Sequence, residues 1–137
     1  MSFFFSAPFL RKTVCCIATA GLLSCLAMAP LPAKAGDSSA GKDVFLSECS
    51  KCHSVDKGRN KKGPSLFGVV GRPSASVPDY HYSDAMKSVN WIWTADKLRS
   101  YLSQPARKAV PGAKMKYDGL PDAGQLDDLI SYLSTLH

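Results

Sequence analysis

Cys49, Cys52 and His53 stand together as Cys-Ser-Lys-Cys-His, the one place in the chain where reactive side chains are packed at a chemically meaningful spacing. C-x-x-C-H is the attachment signature of a c-type haem. Two thiols add to the two vinyl groups of the porphyrin, making two thioether bonds. Two intervening residues let the end of a helix present both sulfurs along one edge of the ring, and the following His is directed at the iron. Two other readings of the dithiol are weaker. A structural zinc site usually needs four Cys/His ligands, and His81 and His137 lie far from the motif. A thioredoxin-like dithiol needs a βαβ context, and no strand pattern is present. The expected cofactor is one haem c, bound covalently through Cys49 and Cys52.

A His-ligated iron takes a sixth ligand, and that ligand decides the chemistry. Beyond residue 35 there are two methionines, Met86 and Met115. Met86 falls inside a short helical pattern, where packing in a core suits it. Met115 lies in the loop Pro-Gly-Ala-Lys-Met, which can bring its sulfur to the haem face opposite His53. A thioether raises the reduction potential and closes the iron to oxygen and peroxide, leaving one-electron exchange.

The rest of the chain must position these groups. The 137 residues carry 17 Lys+Arg, 11 Asp+Glu and five Cys. Composition is ordinary for a globular protein, with 45% hydrophobic and 20% charged residues, which excludes wholesale disorder and collagen-like repeats. Residues 1–35 contain no acidic residue. Arg11 and Lys12 precede an apolar run from Thr13 to Ala29, and Ala33-Lys34-Ala35 forms an A-x-A site, the order of a secretory signal peptide. Removal after Ala35 leaves residues 36–137: 102 residues, 14 basic, 11 acidic, and Cys49 and Cys52 as the remaining cysteines. Leu22-Leu23-Ser24-Cys25 competes as a lipobox, which would tether the protein through Cys25. The expectation is one soluble domain, 36–137, in the periplasm.

Along that domain, Gly41 to Cys52 has a helical pattern carried by Phe45, Leu46 and Cys49. Residues 54–78 read as a long loop, with 57–63 (Lys-Gly-Arg-Asn-Lys-Lys-Gly) exposed. Ser83 caps a short helix through Lys87. Thr94 caps a second, with Leu98, Tyr101 and Leu102 on one face and Pro105 as its stop. Residues 106–119 read as loop. The last helix carries the clearest stripe: Leu126, Leu129, Ile130, Leu133 and Leu136. The fold class is all-α, with helices and long loops wrapped around one haem. A loop of this length in so small a domain makes sense around a ligand.

With these residues in order, the chain resembles the class I c-type cytochromes, close to the mitochondrial protein and its small soluble bacterial relatives. The likeness runs from Gly41 to Leu136. It rests on the haem motif, then Gly63-Pro64-Ser65-Leu66-Phe67-Gly68, Gly71-Arg72, Tyr82-Ser83-Asp84-Ala85, Trp93, Leu98 to Leu102, and Pro-Gly-Ala-Lys-Met. The resemblance implies that His53 and Met115 are the axial ligands of the iron. It implies that the Pro64 carbonyl accepts a hydrogen bond from His53, that Arg72, Tyr82 and Trp93 hold the haem propionates, and that Tyr101 tunes the Met sulfur. Gly41 and Phe45 would cross the last helix near Leu129 and Tyr132. Trp91 has no such role and reads as packing. Three departures stand out. Ala113 replaces a Thr that reaches a propionate in many relatives, Tyr117 replaces a Phe at the haem edge, and Glu48 stands where the mitochondrial protein has a Lys.

The function expected is a one-electron shuttle between membrane redox complexes, not an enzyme. Its donor would be a quinol-oxidising cytochrome bc complex or a dehydrogenase. Its acceptor would be a respiratory-chain oxidase, a reductase or a photosynthetic reaction centre. Lys51, Lys61, Lys62, Arg107, Lys108, Lys114 and Lys116 flank the haem and Met segments, and would steer a monomer onto acidic partner faces in transient docking. No aromatic-interleaved basic stretch points to nucleic acid. The alternatives are an open-site haem enzyme or sensor, peroxidase-like, and a membrane-tethered electron-transfer subunit.

Overall fold

The computed structural model describes residues 36–137; the expected signal peptide, its cleavage site and Cys25 lie outside them. Five α-helices follow in order: α1 Ser38–Val44, α2 Asp84–Ser88, α3 Ala95–Leu102, α4 Ala106–Ala109 and α5 Ala123–Ser134. There is no strand among the described residues. The one backbone bridge, Pro73 with Ile92, joins two extended stretches. The all-α expectation holds. No described helix is long and apolar enough to cross a membrane.

Four helices start on a side-chain cap. Asp37 accepts from the Ser39 and Ala40 amides, Ser83 from Met86, Thr94 from Lys97, and Asp122 from Gln125. Each cap satisfies amides the helix cannot pair itself and contributes about 1 kcal/mol. The first helix therefore begins at Ser38, three residues before the expected Gly41, because Asp37 supplies the cap. It also ends differently. Phe45–Cys49 forms a π-helical turn, closed by the Ser50 amide on the Phe45 carbonyl at 2.9 Å. A π turn widens the helix by one residue and is found mostly at functional sites. Here it delivers Cys49 to the chain's next turn.

The core forms where α1, α3 and α5 meet. Leu126, Leu129, Ile130 and Leu133 of α5 are each at most 4% exposed, and burying such a side chain contributes about 1.5–3 kcal/mol. Leu136, expected on the same stripe, lies beyond the end of α5 and is half-buried; its carbonyl instead accepts the Gly68 amide. The crossing of α1 on α5 depends on Gly41. A Cβ there would fall 1.9 Å from the Asp128 carbonyl oxygen and 2.9 Å from Tyr132 Cβ. Phe45 stacks against Tyr132 with ring centroids 5.7 Å apart. This is the crossing that the resemblance implied.

Residues 106–119, read as loop, contain the single turn α4, with Pro105 at its start, where a missing amide costs nothing. The segment from Ser54 to Pro78 has no regular structure, yet its polar groups are paired. Ser54 Oγ accepts the Asp56 amide, Ser65 Oγ donates to the Asp56 carbonyl, and Asn60 Oδ1 accepts the Ser65 amide. Ser54 and Ser65 are the buried polar residues of the described chain. Their bonds allow a loop to lie inside the molecule.

Candidate functional site

The π turn leads directly into the motif. The Cys49 carbonyl accepts both the Cys52 amide, at 3.0 Å, and the His53 amide, at 2.9 Å, which brings the three residues into one tight turn. Both thiols are free, Cys49 half-buried and Cys52 exposed. Burial, then the neighbouring Glu48 and Cys52, push the Cys49 thiol up to about 12. At neutral pH the free Cys49 side chain is therefore held as the thiol. No cluster of three or more metal-binding side chains exists among the described residues.

His53 is fixed by the chain that returns after the basic loop. The Gly63 amide bonds the Cys52 carbonyl at 2.7 Å. His53 Nδ1 lies 2.8 Å from the Pro64 carbonyl oxygen. A carbonyl can only accept, so Nδ1 carries the proton and Nε2 keeps its lone pair. Burial lowers the His53 pKa, opposed by the Pro64 bond and aided by Lys61, so the imidazole favours its neutral, ligating form. Gly63 was expected to be exposed with its lysine neighbours. It is buried instead, because the His53 ring occupies the space where a side chain would stand: a Cβ would fall 2.3 Å from Cε1. The rest of 57–63 is exposed except Asn60, which is half-buried.

His53 faces a cavity of about 510 Å³, within the usual range of about 300–1,000 Å³ for cofactor sites. Cys49, Cys52, Pro64, Arg72, Tyr82, Trp93, Tyr101 and Met115 also line it, so the residues expected to bind the cofactor meet in one place. Tyr101, 5% exposed, donates its hydroxyl to the Met115 sulfur at 3.6 Å. Burial pushes its phenol up to about 12, which keeps it a donor. Arg72 donates to the carbonyls of Phe67 (2.6 Å) and Ser65 (2.9 Å), and Tyr82 Oη accepts the Val77 amide at 3.3 Å.

Some wall residues were missed. Met86 lines the cavity rather than merely packing in the core. Tyr80 lines it too, donating its hydroxyl to the Lys62 carbonyl at 2.8 Å and meeting Tyr82 edge-on with centroids 4.7 Å apart. The alternation Tyr80-His81-Tyr82 was the available signal, since it sends both rings to one side. At the mouth, Tyr117 Oη is buried without a hydrogen-bond partner. Its phenol is pushed up to about 12 by burial, then by the nearby Cys49 and Glu48, the Glu48 carboxylate lying close to Oη without a well-formed hydrogen bond. The seven basic residues expected at a rim are all exposed, and Lys62, Lys114 and Lys116 border the cavity together with Glu48.

The lining fits a haem. Its walls are largely apolar, from Leu66, Val69, Leu98, Leu102, Leu129 and Leu133. The remaining groups are two thiols, an imidazole with a free nitrogen, a soft thioether and donors suited to carboxylates.

Comparison with known proteins agrees. Residues 38–137 match the family model for cytochrome c. The chain belongs to the cytochrome c family. It is similar to cytochrome c2 of Rhodopila globiformis, 50% identical over 101 residues, 74% of this chain and 94% of that one. It is also similar to cytochrome c type-1 of Ascaris suum, 44% identical over 98 residues, 72% of this chain and 87% of that one. Among solved structures it resembles cytochrome cH from Methylobacterium extorquens, with a TM-score of 0.67 and 39% identity, covering 73% of this chain and 99% of that one. As a cytochrome c, the protein is a haem electron carrier rather than an enzyme, with haem c bound through Cys49 and Cys52 and other redox proteins as its partners.

Proposed function

We propose that the protein is a soluble periplasmic shuttle, exported with loss of residues 1–35, that moves single electrons between membrane redox complexes. The observation that carries this reading is the Met115 sulfur on the wall of the same cavity as His53, held by the Tyr101 hydroxyl. The bound haem supplies reversible one-electron exchange between ferric and ferrous iron. The chain's residues do the rest. His53 would hold the iron through Nε2, while Pro64 fixes the ring and raises its basicity. Met115 would hold it through its thioether. Arg72, Tyr82 and Trp93 serve the propionates, whose burial without partners would be costly. Arg72 retains further N–H groups beyond the two spent on Phe67 and Ser65.

The basic residues at the mouth supply the docking rim. A quinol-oxidising bc complex or a dehydrogenase is the proposed donor. An oxidase, a reductase or a reaction centre is the proposed acceptor. Glu48 and Tyr117 at the same mouth adjust which acidic face fits.

Carbon monoxide titration of the reduced, haem-loaded protein tests the closed site. The expected result is no change of spectrum. Ready binding would support the open-site alternative instead. Fractionation of the producing cell tests the second part: recovery in the periplasmic fluid is expected, and recovery in the membrane pellet would show a tether.

A further inference from the structure

Behind the Tyr101 phenol stands a ring that the site so far does not use. Trp91 and Trp93 alternate along one extended stretch, with Ile92 between them half exposed on the other side. This stretch is pinned to the loop that carries Arg72. The Trp91 amide donates to Ser74 Oγ at 3.0 Å, the Trp91 carbonyl accepts the Ser74 amide at 2.7 Å, and the Trp93 amide donates to the Arg72 carbonyl at 2.9 Å. The backbone therefore fixes where both indoles begin.

Three rings then close into a triangle. Trp91 meets Trp93 edge-on at 5.5 Å, Trp93 meets Tyr101 at 5.2 Å, and Trp91 meets Tyr101 edge-on at 6.1 Å. All three separations lie in the range where aromatic pairs attract with defined geometry. Trp93 and Tyr101 face the cavity, and Trp91 stands behind both. Its outer face is covered by Lys97, whose ammonium sits 4.7 Å from the ring centroid. Lys97 and Tyr101 are four residues apart on α3, and so share one helix face. Trp91 is gripped between a cation and a ring from the same helix.

The consequence concerns the Tyr101 hydroxyl. Its contact with the Met115 sulfur is 3.6 Å long, made to a weak acceptor that tolerates little misalignment. The Tyr101 ring has two torsions, and Trp91 and Trp93 limit both. We propose that Trp91 is a positioning residue for electron transfer: it holds the Tyr101 phenol on the Met115 sulfur and through that bond sets the reduction potential. This rests on Met115 being the axial ligand. A donated hydrogen bond withdraws electron density from the sulfur, which weakens it as a donor to ferric more than to ferrous iron and raises the potential.

The test is a redox titration of five haem-loaded proteins: the parent, Y101F, W91M, W91M/Y101F and W91F. Methionine keeps much of the volume and removes the ring. The expected result is a downward shift with W91M in the parent and no further shift when W91M is added to Y101F. W91F, which restores a ring, is expected to return the potential to that of the parent. No shift with W91M, or an equal shift in both backgrounds, overturns the proposal. If W91M fails to yield loaded protein, K97Q in the parent and in Y101F is judged by the same criterion. The near-infrared sulfur-to-iron band of the ferric parent separates two failures. Its absence refutes Met115 as ligand, whereas its presence with an unmoved W91M potential refutes the positioning role alone.

Discussion

Gly63 occupies the tightest position beside the haem motif, and replacing it with alanine tests the geometry of His53. The added Cβ falls 2.3 Å from His53 Cε1 and 2.7 Å from Nδ1 and Nε2, where ordinary contact begins at 3.4 Å. The ring and the new methyl must part by about 1 Å to reach ordinary carbon contact distances. The backbone cannot yield easily, because the Gly63 amide is bonded to Cys52 at 2.7 Å and its carbonyl to the Lys61 amide at 2.9 Å. The imidazole moves instead. Its 2.8 Å bond to the Pro64 carbonyl then stretches past hydrogen-bonding distance. A buried donor left unpaired costs about 1–3 kcal/mol, and the overpacking costs about 1–3 kcal/mol more. The sum, about 2–6 kcal/mol, corresponds to a fall in melting temperature of roughly 10–30 °C for a domain of this size. Far-ultraviolet circular dichroism of haem-loaded G63A and parent measures it. The imidazole also loses basicity with that bond, so the reduction potential rises. A melting temperature and potential both unchanged from the parent would refute the reasoning.

Gly41→Ala places a Cβ 1.9 Å from a carbonyl of α5, so α1 and α5 must separate; the expected loss is about 3 kcal/mol, read by guanidinium unfolding, and a parent-like midpoint would contradict it. The Tyr101 and Tyr117 phenols have folded pKa values of about 12, raised above the ordinary phenol value of about 10 mainly by burial. Their folded state keeps protons that the unfolded chain releases, so the stability they contribute is complete below pH 10 and is lost as pH rises toward 12. Denaturant titrations across that window should show falling stability for the parent and a shallower fall for Y117F; identical slopes would count against it. Electron transfer to an acidic redox partner should slow as ionic strength rises from about 0.01 to 0.15 M, over which the screening length shrinks from about 30 to 8 Å. K62E and K116E should slow it further at low salt, and a rate indifferent to both salt and charge reversal would remove the docking rim.

The parts legible in the sequence are those that local chemistry writes. Ser83, Thr94 and the α5 stripe announce their helices because caps and apolar spacing are properties of neighbouring residues. The haem motif is legible for the same reason, being five consecutive residues. What stayed hidden depends on partners distant in the chain. Gly63 reads as exposed beside Lys61 and Lys62, and only the folded return of the loop onto His53 buries it. Met86 reads as a packing residue because the wall it joins is assembled from segments far apart. The π turn after Val44 has no side-chain signature, and the early start of α1 on the Asp37 cap is hidden because Ser-Ser-Ala-Gly carries no apolar stripe to mark it. Trp91 reads as packing until the pairing of its stretch with residues 71–74 sets it behind Tyr101. The assignment of Met115 over Met86 came from its loop setting and the family likeness together.

That assignment is the central claim, and the near-infrared absorption of the ferric protein tests it most directly. The expected spectrum shows a weak sulfur-to-iron band in the parent that disappears in Met115→Ala and persists in Met86→Leu, since both methionines line the cavity but Tyr101 bonds the sulfur of Met115. A parent without the band, or a band that survives loss of Met115 and vanishes with Met86, would contradict it.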